Sequence, residues 1–213
     1  RVSSIESTDL DDCGYSFNVL QRINIPSSIS SKLEMIKRYL HYLHMNKATA
    51  FVGAGFSLNA EIPEHVSMKT WNELRSVFLE RLYPNSIEEQ KKDNNDVIRL
   101  SSLIEAQFGH QELDNILEQA LPDGLIQPGR LHKEFVSLPW KDILTTNYDT
   151  LLERASMQIV RGFKLVTNKD TLMYNPSPRI IKLHGSFGQV KPYIMTQEDF
   201  RKNDYPHINE KSR

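Results

Sequence analysis

The chain has 213 residues, with 26 Lys and Arg against 27 Asp and Glu, a formal net charge of −1, and 39% hydrophobic residues. A near-neutral balance supplies no global basic field for a nucleic-acid backbone, and apolar runs of a few residues leave no stretch that spans a membrane. One cysteine, Cys13, excludes an internal disulfide and any cysteine-built zinc site, and fits a reducing, cytoplasmic setting.

Residues 1–29 are polar and irregular and read as an arm or linker, with residues 30–213 as one α/β domain. The first ten residues lack the apolar core of a signal peptide. A start at Arg1 rather than Met and a polar end at Asn209 to Arg213 suggest a piece of a longer protein. Ser30 and Ser31 offer an N-cap for a helix carrying Leu33, Ile36, Leu40 and Leu43 at three-to-four spacing. A short buried strand, Ala48 to Val52, follows and runs into Gly53. Trp71, Leu74, Phe78 and Leu82 mark a second amphipathic helix, stopped by Pro84, and Ile87 to Asn95 reads as a solvated, charged connector.

Two more helical patterns, Val97 to Phe108 and Leu113 to Ala120, lead to a break at Pro122-Asp123-Gly124. A helix near Leu131 to Leu138 precedes the strand Asp142 to Thr145. After Asp149 come a short helix, Thr150 to Met157, a variable stretch with Asn168, Asn175, Pro176 and Pro178, the strand Arg179 to Leu183, and an expected last strand at Tyr193 to Met195. Strands alternating with helices predict a parallel, Rossmann-like sheet with helices on both faces. The helices from Trp71 to Ala120 exceed one crossover and are expected to form an inserted layer over the ligand crevice.

Three segments sit just past strands: Phe51-Val52-Gly53-Ala54-Gly55-Phe56-Ser57, Thr145-Thr146-Asn147-Tyr148-Asp149 and Lys182-Leu183-His184-Gly185-Ser186. In an open parallel sheet the carboxyl ends of strands share one crevice where ligands bind. Gly53-Ala54-Gly55 lets backbone N–H groups approach a pyrophosphate, with a following helix N-terminus adding positive potential; the plainer reading is a turn that needs glycine. No Gly-Lys-Ser/Thr follows, so a P-loop is not supported. Asn147 or Asp149 can simply cap the next helix, and a lone His184 can be a satisfied core histidine. The other histidines show no metal spacing, so no metal is expected. A glycine turn, an Asn/Asp pair and a histidine brought together at strand ends suggest a nucleotide-sugar site.

As an ordered set, Gly-Ala-Gly-x-Ser, then Thr-x-Asn-x-Asp, then His-Gly, the motifs resemble the Sir2 (sirtuin) family of NAD-consuming enzymes, closest to the Sir2-like branch of antiphage defence and immune effector proteins. The resemblance implies that Gly53, Ala54, Gly55, Phe56 and Ser57 line the NAD+ phosphates, with Pro63, Thr146 and Gly185 also at the cofactor. It implies that Asn147 and Asp149 contact the nicotinamide and its ribose, and that His184 is the catalytic base.

Departures are equally plain. One cysteine leaves no place for the zinc module of protein-deacylating sirtuins; Pro63-Glu64-His65-Val66 lacks the arginine of the family's Pro-Asp-Phe-Arg; the Gln before the catalytic Asn is Thr146; and the interval from Asn147 to His184 is wider than in typical sirtuins. The glycine-containing strand end that completes the adenine-ribose side is not visible before Arg213. The expected activity is NAD+ glycohydrolysis, gated by a homo-oligomer or a regulatory partner domain, since unchecked NAD+ depletion would kill the host. The alternatives are deacylation or ADP-ribosyl transfer, and a non-catalytic NAD+ or ADP-ribose sensor.

Overall fold

The computed structural model describes residues 27–189 and 193–202. Two compact units divide at Leu40 and His41. The described part of the first is the helix α1 (Ser27–His44) as far as Leu40; it starts three residues before the expected arm boundary. Most of the expected polar arm, residues 1–26, lies outside the described residues.

In the second unit the described strands are β1 (Thr49–Val52), β2 (Asp142–Thr145), β3 (Lys164–Val166) and β4 (Arg179–Lys182), all parallel, in the order β1-β2-β4-β3. The sheet is Rossmann-like α/β, as the strand–helix alternation predicts. Parallel strands covered on both faces carry near-continuous apolar runs, which suits Ile143, Leu144, Ile180 and Ile181. Register is pinned at the amino end: Arg179 stands opposite Asp142 and donates to both carboxylate oxygens, from Nε at 2.8 Å and Nη2 at 2.7 Å. A one-residue slip would break this fork and turn every side chain to the wrong face.

Between β1 and β2 lie α2 (Trp71–Leu82), α3 (Ile87–Lys92), α4 (Val97–Phe108), α5 (His110–Ala120) and α6 (Arg130–Ser137). Thr70 opens α2 in a reciprocal capping box with Glu73, and Asp96 caps α4. The stretch expected to be a solvated connector instead holds α3, because the Ser86 side chain accepts from the Glu89 N–H and nucleates a turn. Leu74, Phe78, Leu100, Ile104, Leu113 and Leu117 form one core. Tyr148, Phe187, Tyr193 and Met195 join it, so the inserted helical layer sits against the loops after β2 and β4. A second core packs Val136 of α6 and, from α7 (Leu151–Ser156), Leu152 and Ala155 on Ala50, Val52, Ile143 and Ile180.

Two local expectations are corrected. The variable stretch contains β3 and α8 (Lys169–Tyr174), the latter capped by Asn168. Tyr193 to Met195 is not a strand: Tyr193 and Met195 are buried in the helical layer, and the Ile194 N–H donates to the His184 carbonyl at 3.0 Å in a single link. The last described helix is α9 (Gln197–Lys202).

Candidate functional site

Parallel strands put their carboxyl ends on one side, and β1, β2 and β4 are neighbours, so the three motifs converge. The Thr146 N–H donates to the Val52 carbonyl at 3.4 Å, extending the β1–β2 pairing by one step. The Leu183 N–H donates to the Thr145 carbonyl at 2.9 Å and the Phe187 N–H to the Tyr148 carbonyl at 2.9 Å, tying the loop after β4 to the loop after β2. Gly185, at φ +98°, turns the chain between these contacts in a conformation that favours glycine.

The glycine segment departs from expectation in one respect: a six-residue 3₁₀ turn, Ala54–Asn59, follows Gly53 rather than an α-helix. Gly53 has φ −113°, open to any residue, and a Cβ at Gly53 or Gly55 would meet nothing within 4 Å. Neither glycine is demanded by the protein's own packing, and the space over both is open for a ligand to approach the backbone. Ala54 is exposed, whereas the Phe56 ring is committed to the core, 4.8 Å from His132 and 4.9 Å from Phe135. Pro63 lies exposed in the segment beyond, with its carbonyl accepting from the Val66 N–H.

Asn147 is buried, with 7% of its surface exposed. Its Nδ2 donates to the Gly53 carbonyl at 3.2 Å and to Ser57 Oγ at 2.9 Å, while Ser57 Oγ donates to Asp149 Oδ2 at 2.6 Å. This chain fixes the amide. An ionised carboxylate only accepts, so the single Ser57 proton goes to Asp149; the Ser57 oxygen must then accept, and only the NH₂ end of Asn147 can donate to it. Asn147 Oδ1 is thereby left pointing away, buried and without a hydrogen-bond partner. An orphaned acceptor of this kind has a desolvation cost of about 1–3 kcal/mol, which a donating ligand would relieve. Asp149 Oδ1 accepts from the Leu151 N–H at 3.2 Å, capping α7. The capping reading of that carboxylate therefore holds, and its other oxygen is taken by Ser57.

His184 lies one residue past Leu183, half-buried, its ring edge-on to Phe200 at 5.2 Å. Burial lowers its pKa below the ordinary histidine value, which keeps the imidazole neutral and able to accept a proton. On the side facing the helical layer, a cavity of about 320 Å³ is lined by Glu118, Leu121, Asp123, Leu125, Phe187 and Gly188.

Sequence reasoning passed over four residues here. Ser186 is fully buried with an unpartnered hydroxyl on the His184 loop. His132 is buried against Phe56; burial lowers its pKa, opposed by the Asp149 charge. Lys182 and Glu153 form a buried ion pair at 3.1 Å beneath the Asn147 loop. A lysine inside the apolar run Ile180-Ile181-Lys182-Leu183 was the one sequence signal for it. Among the described residues no group of three His, Cys, Asp or Glu is placed to hold a metal ion, and no helix is long and apolar enough to cross a membrane.

Comparison with known proteins agrees with the motif reading. Residues 141–212 match the family model described as "SIR2-like domain"; the Asn147 and His184 segments lie inside that match and the glycine segment precedes it. The chain is 26% identical over 179 residues to "NAD(+) hydrolase ThsA" of Enterococcus faecium, covering 81% of this chain and 35% of that protein. It is 24% identical over 184 residues to "Defense-associated sirtuin 2" of Bacillus subtilis, covering 83% of this chain and 17% of that protein. The chain thus spans well under half the length of either relative, and its resemblance to the Sir2-like branch rests on a matching domain as well as on three motifs.

Proposed function

We propose that this Sir2-like chain is the catalytic part of an NAD+ glycohydrolase that releases nicotinamide and ADP-ribose and serves as a gated effector in antiphage defence. The observation that carries the reading is the buried, unpartnered Asn147 Oδ1, whose amide is fixed by the Gly53 carbonyl and Ser57 on the loop after β2, beside the neighbouring strand ends that carry the glycine turn and His184. A relative named as an NAD(+) hydrolase supports the substrate.

Nicotinamide in NAD+ is already a cationic leaving group, so the bond from its nitrogen to ribose C1′ breaks through an oxocarbenium-like transition state without a strong acid. The electron pair leaves with the ring, which becomes neutral nicotinamide. Asn147 Oδ1 accepts a hydrogen bond from the carboxamide, the ribose or the attacking water, and so orients the reacting groups. The water oxygen bonds C1′ and its proton passes to neutral His184, a transfer worth about 10²–10⁴-fold in rate. Balance is NAD+ plus water giving nicotinamide, ADP-ribose and one proton. Gly53, Ala54 and Gly55 offer backbone to the phosphates. NAD+ acts as substrate, and no metal has a role in these steps. Gating by self-association or by a partner domain fits an activity that would otherwise deplete the host.

The test is NAD+ consumption by the full-length protein, with nicotinamide and ADP-ribose followed by chromatography, beside Asn147→Ala and His184→Ala. Turnover that collapses in both folded variants is the expected result. Turnover surviving both substitutions, or none in the parent together with its activating partner, overturns the reading.

A further inference from the structure

The Lys182 side chain is 0% exposed and that of Glu153 6%, at the end of β4 and on α7. Burying two charges is expensive, and a well-packed apolar pair of similar volume is often as stable or more so. Stability alone therefore does not account for a lysine in a strand whose neighbours are Ile180, Ile181 and Leu183. Its Nζ does something an apolar side chain cannot: it donates to the main-chain carbonyl of Asp149, the residue whose carboxylate holds Ser57 and, through it, Asn147. Glu153, one turn further along α7, supplies the opposite charge. Burial pushes the Glu153 carboxyl up, and the Lys182 charge works against that shift.

We propose that Lys182 and Glu153 are positioning residues, a buried clamp that holds the Asn147–Asp149 loop from beneath while Ser57 holds it from the crevice side. The proposal rests on the NAD+ hydrolase reading for its catalytic consequence, but the holding of the loop can be measured without it. Lys182 touches no substrate; it acts through the Asp149 backbone. With the carbonyl fixed, the Asp149 carboxylate stays in reach of Ser57, and the Asn147 amide keeps its position. A misplacement of about 1 Å in a reacting group is enough to lower a rate about 100-fold.

The experiment uses the full-length protein and three forms: parent, Lys182→Met, and Lys182→Met/Glu153→Leu. The single variant leaves Glu153 buried without its partner and is expected to melt early; the double variant removes both charges and is expected to melt near the parent. In the double variant, amide hydrogen exchange across residues 147–151 should speed up about tenfold while the β1–β2 pairing is unchanged. Its kcat for NAD+ should fall about 10–100-fold with a smaller change in KM. Exchange at the parental rate overturns the clamp whether or not the parent hydrolyses NAD+. Faster exchange with parental kcat overturns the positioning role and leaves a structural pair. Faster exchange in a protein that never hydrolyses NAD+ upholds the clamp and defeats the hydrolase reading instead.

Discussion

Asn147 is held by what it donates. Its Nδ2 faces two oxygens, the Gly53 carbonyl and Ser57 Oγ, so the closest isostere is the most informative replacement. Asn147→Asp would set a carboxylate oxygen against the Gly53 carbonyl and force two carboxylates to compete for the single Ser57 proton. It is expected to lose activity as fully as Asn147→Ala and also to lose about 1–3 kcal/mol of stability, read by thermal or urea melting. A variant as stable as the parent would mean that the amide is oriented the other way. His184 makes a prediction in pH. Because burial lowers its pKa, the folded protein releases that proton at lower pH than the unfolded chain does. The imidazole is then neutral throughout the neutral range, and if it is the base proposed above, the acid limb of kcat/KM for NAD+ should fall below about pH 6.5 rather than near it. By linkage the same shift removes stability as pH drops from about 6.5 toward the folded value, since the unfolded chain takes up the proton first.

Among the elements, the glycines divide by what surrounds them. A Cβ on Gly129, just before α6, would lie 2.0 Å from the Asn59 carbonyl oxygen at the end of the glycine turn, whereas one on Gly53 or Gly55 meets nothing. Gly129→Ala should therefore destabilise the fold by more than about 1 kcal/mol and disturb the turn. Gly53→Ala should keep stability within about 0.5 kcal/mol yet raise KM for NAD+. Equal effects on stability would remove the argument that Gly53 is glycine for a ligand. The same contrast explains what was legible in the sequence. The helices Trp71 to Leu82 and Val97 to Phe108 and the strands around Gly53, Asn147 and His184 were read correctly, because periodicity and local caps state them within a dozen residues. Strand β3 was missed: Lys164 to Val166 is too short to carry a pattern, and pairing with β4 is what makes it a strand. Tyr193 to Met195 misled for the opposite reason, having aromatic and β-branched neighbours that serve the helical layer instead of the sheet. The Lys182–Glu153 pair was illegible as a pair, since only the parallel pairing of β2 with β4 brings α7 over the end of β4.

Across the second unit, the sheet has two unlike ends. At the amino end, Asp142 receives a two-point fork from Arg179 and a further hydrogen bond from Ser177 Oγ, so its buried polar atoms are well supplied. At the carboxyl end, Asn147 Oδ1 and the Ser186 hydroxyl are buried without partners. That asymmetry makes stability a reporter of occupancy. Any molecule that donates to the Asn147 carbonyl binds the folded chain alone, and so must raise the melting temperature with its concentration. At a hundredfold excess over Kd the gain is about 2.7 kcal/mol. In His184→Ala, which keeps Asn147 and the glycine turn but lacks the proposed base, intact NAD+ should give this shift, and Asn147→Ala should blunt it. The protein then announces its own ligand calorimetrically, before any bond is broken.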